Sequence, residues 1–161
     1  MNLTPKRASE SATEMVQVAL PNDANPLGYI LGGTVMHLID IAGAIACHRH
    51  TRSLLVTVAV DGLQFLHSIR VGDLIILESR VTCVFTTSLE VRVDVFSEET
   101  LTGRRQLTST AFLTFVAIDR DGGKVKVAPL IVETEEEKRV CEEAHARRAE
   151  RLKRKAEAGG R

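Results

Sequence analysis

A single carboxylate, Asp40, sits in an otherwise apolar stretch running from Val35 to Cys47. Placed at about 100° per residue, Val35, Leu38, Ile39, Ala42, Ile45 and Ala46 cover one broad arc of a helix. His37, Asp40, Ala44 and His48 fall in a strip roughly 80° wide. Such a helix should be almost wholly enclosed, and a carboxylate on it costs free energy unless something pairs with it or uses it. Asn25, Gly28, Gly32 and Gly33 lie just upstream. A glycine pair at a helix start lets a substrate approach free backbone N–H groups, whose dipoles stabilise an oxyanion formed from a carbonyl. The plainer alternatives are a local hydrogen bond from His37 to Asp40 at i−3, and glycines that serve only a tight loop and close packing.

The surrounding pattern shows what must position these groups. Residues 1–11 are polar and read as a flexible arm. Residues 13–20 alternate as a strand, a loop follows, and the helix covers about residues 33–51. Four more extended stretches follow without a second helix between them: residues 54–67, 73–85, 88–98 and 106–119. Their short connections imply an antiparallel meander, because a parallel crossover needs a dozen or more residues. The order β-α-β-β-β-β predicts an α+β domain over residues 12–131, one long antiparallel sheet wrapped around one central helix. Its open edges predict a symmetric dimer that extends the sheet. Residues 132–161 form a charged tail, acidic in its first part and basic in its second, which suits the dipole of a solvated C-terminal helix.

Composition removes several function classes. Lys plus Arg and Asp plus Glu are 21 each, so no overall field favours nucleic acid, and nothing resembles a helix-turn-helix. No signal peptide is expected at the start, and no apolar run approaches the roughly 18 residues of a membrane span. Cys47, Cys83 and Cys141 lack metal or disulfide spacing, so reduced thiols in a cytoplasmic protein are expected, with Cys47 packed in the core. His48 and His50, beside Arg49 and Arg52, suit the negative end of the helix dipole, and no third ligand is spaced to make a metal site with them.

Asn25-x-x-Gly28-x-x-x-Gly32-Gly33, with Asp40 seven residues beyond, resembles the hotdog-fold acyl-CoA thioesterases, especially the YciA-like enzymes and their animal acyl-CoA hydrolase relatives. The likeness continues through Val56-Thr57-Val58-Ala59-Val60-Asp61, Phe65, Val71-Gly72-Asp73, Thr87-Ser88 and the run from Thr110 to Asp119. It implies hydrolysis of acyl-CoA to a free acid and coenzyme A at a site between two subunits, with no cofactor beyond the coenzyme A of the substrate. Asp40 would be the catalytic carboxylate, as general base or nucleophile, and Asn25 would come from the neighbouring subunit. Gly32 or Gly33 would polarise the thioester oxygen. Thr57 is a further hydroxyl near the site. Thr87 and Ser88 lie where the family holds coenzyme A, although Phe85-Thr86 precedes them where relatives usually carry a glycine. Arg70, Arg80 and the basic tail are candidate phosphate partners. Alternatives are a hotdog hydroxyacyl-thioester dehydratase, which usually has His where Asn25 stands, or a non-catalytic acyl-CoA sensor. Dimers are expected to assemble into tetramers or hexamers.

Overall fold

The structure, a computed structural model, describes residues 3–159. The apolar stretch forms α1, Gly32–Thr51. It starts after the extended Leu31, whose carbonyl accepts from the Val35 N–H at 3.2 Å. It stops where Arg52 turns left-handed, φ 53°, and its N–H donates to the His48 carbonyl. Lys6 Nζ reaches two other terminal carbonyls, His50 O at 2.7 Å and Arg49 O at 3.2 Å.

Around α1 wraps a five-stranded antiparallel sheet made of β2 (Thr13–Val18), β3 (Leu54–Phe65), β4 (Leu74–Val84), β5 (Ser88–Glu98) and β6 (Arg105–Ile118). The spatial order is β2-β4-β5-β6-β3. Period-two alternation puts Leu89, Val91, Val93 and Val95 fully inside, against Leu38, Ile39, Ala42 and Ala46 of the helix. Gly43 allows the closest approach, since a Cβ there would lie 3.1 Å from Val91 Cγ1 and 3.4 Å from the Phe115 ring. The enclosure is incomplete: Gly33, Met36, His37 and His48 remain exposed along the strip that carries Asp40.

The meander holds for β4, β5 and β6, but β3 pairs with β6 rather than with β4. Residues 66–73 carry the chain across to the far side of the sheet. There, Ile30 N–H donates to Ile69 O and Val71 N–H to Gly28 O, tying the crossing to the loop before α1. β4 consequently begins beside β2. The arm expected to be flexible is fixed from Lys6 onward. β1 (Lys6–Arg7) pairs in parallel with β7 (Leu130–Ile131), and Ala8 and Ser11 are buried. Met1 and Asn2 lie outside the described residues.

The tail helix α2, Glu135–Gly159, is capped by Thr134 Oγ1 accepting from Glu137 N–H, while the Glu137 carboxylate accepts from Glu133 N–H. It is not a freely solvated helix. Among its described residues only Ala144 is buried, yet Arg147 forms a two-pronged ion pair with Glu90 at 2.8 and 2.9 Å, and Arg151 bonds Asp61 at 2.9 Å. Cys141 is joined to Cys83 in a disulfide, which corrects the expectation that all three cysteines are reduced thiols. A β-bulge between Val81 and Cys83 places Cys83 opposite Glu90, on the face away from α1, where α2 lies. Cys47 is buried and free, and burial pushes its thiol pKa up. No described helix is long and apolar enough to cross a membrane.

His50 departs from the dipole reading. It is fully buried, with Nε2 donating to Ala128 O at 2.8 Å, and burial lowers its pKa. The unfolded chain takes up this proton first as pH falls, so the stability His50 supports is present above its ordinary value of about 6.5 and declines below it. Thermal melts between about pH 5 and 8 should show that decline, and His50→Gln should flatten it. At Gly43, substitution by Leu overfills the helix–sheet contact and should destabilise the fold by about 1 to 3 kcal/mol in urea unfolding.

Candidate functional site

The loop before α1 is built by Asn25. Its Oδ1 accepts from Leu27 N–H at 3.0 Å and Tyr29 N–H at 3.2 Å, and its own N–H donates to Tyr29 O at 2.8 Å. This is the local bonding that Asn favours in turns, and Gly28 closes it at φ 81°. With Oδ1 occupied twice, the amide end Nδ2 is the part left to bond elsewhere. It donates to nothing among the described residues.

Gly32 and Gly33 open α1. A Cβ at Gly32 would meet the Phe65 ring at 3.4 Å, an ordinary van der Waals contact, so packing does not by itself require that glycine. Gly33 has nothing within 4 Å of such a Cβ and no left-handed φ, so neither packing within the chain nor backbone strain requires it. Beside Gly32 opens a cavity of about 250 Å³, lined by Ile30, Val35, Phe65 and Ile69 among others.

Asp40 follows Gly33 by seven residues, about 10 Å along the helix axis. Its Oδ1 accepts a 2.7 Å hydrogen bond from Thr57 Oγ1, and no bond from His37 is formed. The side chain is half-buried, and its second oxygen has no partner among the described residues. Thr57 belongs to β3, an edge strand on which Val56, Val58 and Val60 are 42–52% exposed. The acid and its hydroxyl partner therefore sit beside an open sheet edge.

The other expected residues are more dispersed. No hydrogen bond links Asn25 to Asp40 within the protomer. Thr87 lies in the β4–β5 turn, where Ala117 N–H donates to its carbonyl, and Ser88 opens β5. Arg70 is exposed and its backbone bridges Tyr29. Arg80 stands across from Arg92 on the face of the sheet away from α1 and does not join Asp40. The sequence reading missed the second layer on that outer face: Glu90, Thr82 and Arg147, and the group formed by Lys126, Cys141, His145 and Arg148. Glu90 stands between Leu89 and Val91 in sequence, as a polar residue of an alternating strand does, and the clustering of cations in the tail is its one visible counterpart there.

A long antiparallel sheet wrapped around one central helix is the hotdog fold. A family model described as the thioesterase superfamily matches residues 27–103. An acyl-CoA thioester hydrolase of Bacillus subtilis is 41% identical over 91% of this chain and 85% of its own length. The chain spans 39% of the length of the mammalian cytosolic acyl coenzyme A thioester hydrolases it matches at 31% identity. The chain belongs to the thioesterase superfamily. Among solved structures, a hexameric acyl-CoA thioesterase superposes with a TM-score of 0.89 at 42% identity, covering 95% of this chain and 98% of that one. An acyl-CoA hydrolase of Staphylococcus aureus, in complex with butyryl coenzyme A, coenzyme A and coenzyme A disulfide, gives 0.87 at 30% identity, covering 96% and 94%. That hydrolase has also been solved with an Asn, an Asp or a Thr replaced by Ala. The Asn and Asp stand 15 residues apart and the Asp and Thr 17 apart, the spacings of Asn25, Asp40 and Thr57 here.

Asn25→Asp keeps both acceptor bonds of the loop and should leave thermal stability nearly unchanged. Asn25→Ala removes them and should lower stability by about 1 kcal/mol in chemical denaturation.

Proposed function

We propose that the protein hydrolyses acyl-CoA thioesters to a free carboxylic acid and coenzyme A. The observation that carries this reading is the Asp40–Thr57 pair, a carboxylate held by one oxygen and free at the other, beside an open sheet edge and two turns above an unobstructed Gly33. A thioester suits so sparse a site. Its carbonyl is strongly electrophilic and its thiolate leaves without a strong acid, so a carboxylate and oxyanion donors suffice. The free oxygen of Asp40 acts on the carbonyl carbon. As general base it takes a proton from the attacking water; as nucleophile it forms a mixed anhydride that water then cleaves. The N–H of Gly33, at the positive end of α1, receives the developing oxyanion.

Asn25 of the partner subunit completes the site. Its Oδ1 is spent on its own loop, so it offers Nδ2–H, a donor suited to the acyl carbonyl or the attacking water. The unpaired β3 edge, with Val56, Val58 and Val60 exposed, supports pairing with a second copy. Assembly of three such dimers into a hexamer is supported by the hexameric relative at 42% identity. Thr87, Ser88 and Arg70 remain the proposed coenzyme A contacts, and the human relative named as a cytosolic hydrolase supports a cytoplasmic location. The spacing shared with the replaced residues of the Staphylococcus aureus hydrolase supports the assignment of Asn25, Asp40 and Thr57.

A thiol-release assay over acyl-CoA chain lengths tests the reaction. Asp40→Asn should lose at least about 100-fold in kcat while staying folded, and near-normal turnover would refute the role of Asp40. When Asn25→Ala and Asp40→Asn subunits are randomly exchanged, about a quarter of wild-type activity should return, because half the dimers carry one intact site. No recovery despite proven exchange would place both residues in one subunit.

A further inference from the structure

We propose that the Cys83–Cys141 disulfide is a thiol-exchange site for free coenzyme A, which opens it by attack on Cys141; the identity of this thiol rests on the reaction proposed above, of which it is the product. The two sulfurs are unequal. Cys83 is 1% exposed, whereas Cys141 is half-buried and forms part of the wall of a cavity of about 720 Å³ between α2, the end of β4 and β7. Three of the residues lining that cavity are basic, Lys126, His145 and Arg148, and none is a carboxylate. Val84, Val127 and Leu130 supply apolar wall. An apolar trough with a cationic rim suits a thiol carried on an uncharged arm that ends in phosphates, and coenzyme A has that form.

Phe85 packs against two of these basic side chains. The His145 ring meets the Phe85 ring edge-on at 5.0 Å, and the Arg148 guanidinium lies over it at 4.9 Å. His145 stands one helical turn after Cys141, and its ring nitrogen is within 4.8 Å of both sulfurs.

The chemistry balances with coenzyme A as the only reductant. The coenzyme A thiolate attacks Cys141 Sγ, a new S–S bond forms, the Cys83–Cys141 bond breaks, and Cys83 leaves as a thiolate that takes a proton. A second coenzyme A thiolate attacks the mixed disulfide at the coenzyme A sulfur, releasing coenzyme A disulfide and the Cys141 thiolate. Two thiols are thereby oxidised and one protein disulfide is reduced. The first step already removes the covalent link between α2 and β4, leaving the ion pairs of Arg147 and Arg151 to hold the helix.

The test uses the full chain purified without reductant. Denatured, it should titrate one thiol, Cys47; three thiols would overturn the proposal. Incubated with free coenzyme A, it should gain the mass of one coenzyme A under non-reducing conditions, mapped to Cys141. Pantetheine, with the same thiol and arm but no nucleotide, should react about 10-fold more slowly at equal concentration and pH. Lys126→Ala and Arg148→Ala should each reduce that preference, and Arg148→Lys should restore part of it. No adduct, an adduct confined to Cys47, or equal rates for the two thiols would each refute it. Because no acyl thioester is present, failure here leaves the hydrolysis assay untouched, and a failed hydrolysis assay leaves these exchange rates unaffected.

Discussion

The contact of α1 with the inner face of the sheet at Gly43 governs the geometry of the molecule. A helix that is apolar over most of its circumference needs a sheet that curves around it, and the missing side chain at Gly43 lets its backbone settle against Val91 and Phe115. Helix rotation is fixed by that contact. With Val35, Leu38, Ile39, Ala42 and Ala46 turned inward, Asp40 is left on the open strip, facing Thr57 on the last strand of the sheet. A rotation by one residue would bury the carboxylate among valines, where an unpaired charge is costly.

The outer face of the sheet obeys a different rule. Glu90 is 1% exposed, and its carboxylate is satisfied by Thr82 Oγ1 and by both prongs of Arg147, whose guanidinium also lies 3.8 Å from the centre of the Phe112 ring. Hydrogen bonding to Glu90 raises the Arg147 pKa, so the guanidinium stays charged. Losing one partner of such a pair leaves a buried charge unanswered and typically costs about 3 to 5 kcal/mol. The pair is therefore stronger as a constraint on where α2 sits than as a net source of stability. Arg151 and Asp61 repeat the contact at β3, so the tail helix touches the same strand that carries Thr57.

These two layers leave the edge of β3, like that of β2, unpaired. The valines of β3 are exposed, the free oxygen of Asp40 is beside that strand, and the amide nitrogen of Asn25 is unbonded among the described residues, in a loop that already uses its carbonyl oxygen. Pairing of a second copy at the β3 edge, as proposed, would cover the valines and bring the Asn25 amide proposed to complete the site, which links assembly to the proposed chemistry.

The sequence by itself determined the local features: the helix and its polar strip, the extents of the long strands to within a few residues, and the loop before the helix. Each is set by residues close in the chain, where period, turn chemistry and capping act directly. Asp40 and Thr57 were both legible as chemistry, though not as bonded to one another. The tertiary structure decided which strands are neighbours, since the eight residues after Phe65 fit a hairpin as well as the crossing that the loop before α1 holds in place. It decided which way Cys83 faces, because one bulge exchanges the two sides of a strand. It also gave Glu90 and His50 their buried partners, Arg147 and the Ala128 carbonyl, which lie 57 and 78 residues further along the chain. Pairings at such separations depend on which surfaces meet when the sheet closes, and no local pattern encodes them.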